Sequence, residues 1–151
     1  MDGDRTRALD QLLELTVLLG QDMAVGLARD GLTESRAHLL WVLDASGPCP
    51  QRHLADALGV TARTVTGLVD GLVDTGFVTR ETHPTDRRAT LVTPTPRGLA
   101  AVASLRAGQA ELVGQLFGDV PEAEVAALVG TMDGVLDRLR AAIAAEAGGS
   151  R

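Results

Sequence analysis

The 151-residue chain has no lysine, no tyrosine, a single cysteine (Cys49) and three aromatic residues, Trp41, Phe77 and Phe117. Each shortage excludes something. One cysteine forbids an internal disulfide framework. So few aromatics leave the core to Leu, Val and Ala. Hydrophobic residues at 45% suffice for such a core, and the dispersed Gly and Pro argue against a disordered or fibrous chain. No apolar run approaches the roughly 18 residues of a membrane span, because Asp22, Arg29 and Asp30 break the first apolar region. Met1 to Asp10 is charged and polar, unlike a signal peptide. A cytoplasmic location without membrane contact is expected. His38, His53 and His83 form no HxxxH pattern, there is no cysteine cluster, and the acids are scattered over helix faces. No metal site, cofactor or catalytic constellation is therefore expected, and the chain does not read as an enzyme.

The charge of −6 is unevenly spread. Residues 1–47 carry four Arg against eight Asp or Glu, and residues 99–151 four Arg against seven acids. Residues 48–98 carry six Arg against five acids, and also His53 and His83. Only this middle is fit to approach a polyanion, which a net acidic protein can do through a locally positive face. That every basic side chain is Arg suits phosphate and guanine recognition. Compositional bias explains it equally well, so it carries no functional weight.

Helical periodicity marks a long first helix over 5–28, through Leu9, Leu12, Leu13, Leu18, Leu19, Met23 and Leu27, closed by Gly31. Thr33 reads as the N-cap of a second helix, about 34–45, that buries Ala37, Leu40, Trp41 and Leu43. Gly47-Pro48-Cys49-Pro50 ends it. Gln51 to Leu58 is a short helix with Leu54, Ala55 and Leu58 inward, and Gly59-Val60 is a turn. Thr61 caps a further helix whose Val65, Leu68, Val69, Leu72 and Val73 form one stripe, stopped by Gly76. Helix, Gly-containing turn and helix is the helix-turn-helix pattern. The face opposite the stripe carries Arg63, Thr64, Thr66, Gly67 and Asp70, small or hydrogen-bonding groups suited to the major groove.

Two short strands follow, 77–82 and 89–93, joined by His83-Pro84-Thr85-Asp86-Arg87-Arg88. A hairpin after a recognition helix is a wing, and its Arg pair fits a minor-groove or backbone probe. Asp86 and Arg88, two apart on extended chain, face the same side and can pair, with Arg87 opposite. The expected fold is mainly α with a small β-hairpin: a winged helix-turn-helix with N- and C-terminal dimerisation helices. The later helices run from Arg97 to Phe117 and from Pro121 to about 146, with Leu99, Val102, Leu105, Leu112 and Leu116 on one and Leu128, Met132, Leu136, Leu139 and Ile143 on the other. One winged domain cannot cover three apolar-faced helices at the two chain ends, so a homodimer is expected.

The chain resembles the MarR family of bacterial regulators. The likeness runs through Leu32-Thr33, Leu54-Ala55, Thr64-Val65-Thr66, Leu68-Val69-Asp70, Gly76-Phe77-Val78-Thr79-Arg80, Asp86-Arg87-Arg88 and Leu91-Val92-Thr93-Pro94-Thr95-Pro96-Arg97-Gly98. It is strong over 32–98 and rests on layout alone outside it. It implies a homodimer whose first and last two helices interlock. The parts are then an N-terminal dimerisation helix (1–31), a winged helix-turn-helix (32–95), C-terminal dimerisation helices (96–147) and a tail (148–151).

The resemblance implies a sequence-specific regulator of double-stranded DNA that reads an imperfect palindrome, a repressor released by a small aromatic or phenolic ligand. Arg88 then enters the minor groove, Asp86 holds it, Arg87 and His83 touch phosphates, and Arg80 holds the DNA backbone or the wing base. Arg63, Thr64 and Thr66 lie on the recognition helix, where Gly67 stands in place of a basic residue common in the family. His38 and Trp41, one turn apart, are the candidate effector-pocket residues; a core Trp41 and a solvated His38 are the plainer reading. Two alternatives remain: a regulator responding to oxidation of Cys49, and a protein-interaction module that does not bind DNA. The family's thiol sensors place their cysteine near the start of the first helix beside tyrosines, unlike Cys49.

Overall fold

The computed structural model describes residues 2–148. Six helices and one hairpin follow in the order α1 (Asp2–Arg29), α2 (Glu34–Ser46), α3 (Gln51–Leu58), α4 (Ala62–Asp74), β1 (Val78–Thr82), β2 (Thr90–Pro94), α5 (Pro96–Phe117) and α6 (Glu122–Gly148). Of the expected tail, Gly148 ends α6, and residues 149–151 lie outside the described residues. Two compact units are present, one reaching to Arg106 and one beginning at Ala107. Their boundary falls within α5.

The helix ends follow local chemistry. Thr33 caps α2 by accepting from the Arg36 N–H at 3.3 Å, and Thr61 caps α4 by accepting from the Thr64 N–H at 3.1 Å. Each such cap contributes about 1 kcal/mol. Gly59 follows α3 with φ 65°, the left-handed conformation that only glycine takes without a Cβ penalty. At the end of α4, Gly76 has φ 80° and the Phe77 N–H returns to the Leu72 carbonyl at 2.8 Å. That return bond holds Phe77 to the helix end, so β1 starts at Val78, one residue later than expected.

The hairpin is antiparallel, with Val78 opposite Pro94, Arg80 opposite Val92 and Thr82 opposite Thr90. Cys49 adds an isolated bridge to β2 through paired backbone bonds with Val92, 3.2 and 2.8 Å long. Thr95 fastens the base: its hydroxyl donates to the Gly76 carbonyl at 2.7 Å and accepts from the Gly98 N–H at 3.1 Å, at the start of α5. Gly98 permits that close approach, since a Cβ there would lie 2.1 Å from the Phe77 carbonyl oxygen.

The core of the first unit is built on Leu39, Leu43, Leu54, Val65, Val69, Leu72 and Val92, with Phe77 as its largest side chain. The α4 stripe behaves as expected: Val65, Val69 and Leu72 are buried, and Leu68 and Val73 pack against them in part. Trp41 does not. Leu39 is buried in α2 alongside Ala37, Leu40 and Leu43, while Trp41 is 37% exposed. The Arg106 guanidinium lies 5.4 Å from its ring and is paired with Asp44. An indole beside a cation is stable at a surface. In the second unit no residue of α6 is buried. No described helix is long and apolar enough to cross a membrane.

Candidate nucleic-acid interface

The capped start of α4 presents Arg63, Thr64, Thr66 and Gly67 on its exposed face. Thr64 and Thr61 share a hydroxyl hydrogen bond of 2.9 Å. Thr66 donates to the Ala62 carbonyl at 2.9 Å and accepts from Gln51 Nε2 at 3.1 Å. Gln51 Oε1 in turn accepts from Arg80 Nε at 3.1 Å, and Arg80 Nη2 meets Asp70 Oδ1 at 2.5 Å. The first turn of α3, the outer face of α4 and strand β1 are thus joined by one polar chain. The Arg80–Asp70 pair is one-third and one-half exposed, so as a stabiliser it is worth no more than about 1 kcal/mol. Its effect is geometric: Arg80 is aimed at its own recognition helix. Gln51 carries no local sequence signal for this role, because its partners lie 15 and 29 residues away.

Asp86, Arg87 and Arg88 are exposed at the hairpin tip, and His83 is half-buried beside them. The expected side-chain pair between Asp86 and Arg88 is absent. Asp86 Oδ1 accepts instead from the Arg88 backbone N–H at 3.0 Å. A carboxylate bonding a backbone N–H two residues on makes a local turn, which competes with the extended geometry a side-chain pair would need. The guanidinium is left unheld. Among the described residues Arg63, Arg87 and Arg88 enter no ion pair. His83, expected to reach phosphates, turns its Nδ1 toward the backbone N–H groups of Thr85 and Asp86, each at 3.2 Å.

His38 and Trp41 are both exposed on α2. Neither lines either of two open clefts in this unit. One, of about 410 Å³, lies between α3 and α4 against Gln51, Arg52, Asp56 and Thr66. The other, of about 310 Å³, is bounded by Arg29, Asp30, Phe77, Arg97 and Ser104, with the Arg97 guanidinium 4.4 Å above the Phe77 ring. Cys49 is buried, and burial pushes its thiol above the ordinary value. Both features disfavour a reactive thiolate. No metal-binding cluster occurs among the described residues.

A short helix, a glycine turn and a capped helix, followed by a hairpin with unpaired arginines at its tip, define a winged helix-turn-helix protein. The chain belongs to the MarR family. Residues 32–90 match that family. A probable transcriptional regulator from Pseudomonas aeruginosa, of known structure, is 30% identical over 85% of this chain and 92% of that one, with a TM-score of 0.64. The HTH-type transcriptional repressor YetL of Bacillus subtilis is 28% identical over 85% of this chain and 78% of that protein. An uncharacterized HTH-type regulator of the same organism, YcgE, is 35% identical over 52% of this chain, and the match spans only 49% of YcgE. The Staphylococcus aureus MepR–DNA complex shares the fold, with a TM-score of 0.70 at 21% identity over 85% of this chain and 94% of that one.

Proposed function

We propose that the protein is a dimeric repressor that binds an imperfect palindrome in double-stranded DNA, released by a small ligand. One observation carries the DNA reading. The exposed start of α4 and the hairpin tip hold Arg63, Arg87 and Arg88 with no carboxylate spent on them, in a chain that is acidic elsewhere. Thr64, Thr66 and Arg63 are positioned to read a major groove, and the tip arginines to reach phosphates or the neighbouring minor groove. MepR, of the same fold, was solved on DNA, and YetL is a repressor by name; both support the reading.

Dimerisation is supported by exposed apolar residues, Leu9, Leu13, Val17 and Leu18 on α1 and Leu128, Val129, Leu136, Leu139 and Ile143 on α6, each at least 46% exposed except Leu136 at 39%. Apolar faces of this extent mark an interface. The parts are assigned as 1–31 and 96–147 for dimerisation and 32–95 for DNA, with His38 and Trp41 retained as effector-facing candidates and a cytoplasmic location.

A mobility-shift assay with duplex from beside the gene tests the reading. A retarded species with a two-fold symmetric footprint, its half-sites about one helical turn apart, is expected. Failure to shift any flanking duplex would favour a protein-interaction module.

A further inference from the structure

We propose that His83 is the brace of the wing: a positioning residue that fixes the course of the chain carrying Arg87 and Arg88, and not a phosphate contact. The ring is half-buried, whereas Pro84, Thr85, Asp86, Arg87 and Arg88 are all exposed. Its Nδ1 has three donors around it: the Thr85 N–H at 3.2 Å, the Asp86 N–H at 3.2 Å and the Thr85 hydroxyl at 3.2 Å. Two backbone N–H groups aimed at one ring nitrogen require that nitrogen to carry its lone pair. Nδ1 is thus committed to the turn as an acceptor. An Nδ1 that accepts from the backbone has no hydrogen of its own to donate to a phosphate.

The same residue also closes the turn through its main chain. The His83 N–H donates to the Ala89 carbonyl at 2.9 Å, and the Ala89 N–H donates to the Asp86 carbonyl at 3.0 Å. Asp86 then holds the Arg88 N–H. His83 and Asp86 thus take up the N–H groups of Thr85, Asp86 and Arg88, which the strand ladder does not reach. Two side chains set the path of the tip, and the two arginines ride on that path with free guanidinium groups.

The affinity arm of the test rests on the DNA reading; the hydrogen-exchange arm does not. Three variants separate a brace from a phosphate contact. His83→Ala removes the acceptor. His83→Arg removes the acceptor and adds a cation. His83→Asp restores an acceptor for N–H groups two and three residues on and adds a charge that phosphates repel. In the free protein, amide exchange at Thr85 and Asp86 is expected to quicken at least about threefold in the Ala and Arg variants and to stay near wild type in the Asp variant. Operator affinity is expected to fall several-fold in the Ala variant and to recover in the Asp variant. An Arg variant that binds as wild type while the Asp variant falls below Ala would overturn the proposal, and so would unchanged exchange at Thr85 and Asp86 in His83→Ala. If the wild-type protein bound no duplex, the DNA reading would fall, and the exchange arm alone would decide the brace.

Discussion

Helices α4 and α6 carry similar apolar repeats and meet opposite fates. In α4, Val65 and Val69 and Leu72 are fully buried by their own chain. In α6 nothing is buried, and Val129, Leu139 and Ile143 are each more than half exposed. Periodicity identifies the face of a helix that requires cover, but not the source of that cover. For α4 the source is α2, α3 and the hairpin; for α6 the proposed source is a second copy.

The sharpest break in this comparison is Leu72→Ala. It should cost about 2–5 kcal/mol, as a buried leucine does, read from denaturant midpoints at fixed protein concentration. A loss under about 1 kcal/mol would contradict a packed α4 stripe. Replacing Leu136 and Leu139 together by Glu should instead leave the winged unit folded and change the mass in solution, from near twice 15.7 kDa to 15.7 kDa at micromolar protein. Equal masses for wild type and variant would remove α6 from the interface.

Smaller effects are expected on the polar side. Arg88→Ala should weaken operator binding at least about tenfold, near 1.4 kcal/mol, with mass and helical content unchanged. Arg87→Ala should cost less, and should lower the salt slope by about one. Wild-type affinity in a folded Arg88→Ala dimer would end the wing-insertion idea. Gln51→Ala removes the link between Thr66 and Arg80, and should cost about 0.5–1 kcal/mol in operator affinity. No change there would reduce the polar chain to surface decoration.

Most of the architecture was legible because its punctuation is local. Gly31, Gly59 and Gly76 stand at the expected helix ends with positive φ, and Thr33 and Thr61 make the expected caps. Errors arose where a long-range partner decides. Trp41 sits at the surface because Arg106, 65 positions on, lies against it, and periodicity on α2 alone does not reveal that. The partners of Arg80, which come from α3 and α4, were not legible. At the wing tip a side-chain pair between Asp86 and Arg88 was expected, but the carboxylate takes the backbone N–H and leaves the guanidinium free.

The central claim is that a small positive face made by α4 and the hairpin tip binds DNA in an otherwise acidic protein. The measurement that tests it most directly is a titration of the gene-flanking duplex with wild-type protein across a range of salt concentrations. Few phosphate contacts per subunit predict that log affinity falls against log salt with a slope of about 4–8 for the dimer. An affinity that does not change with salt would contradict contact through Arg63, Arg87 and Arg88.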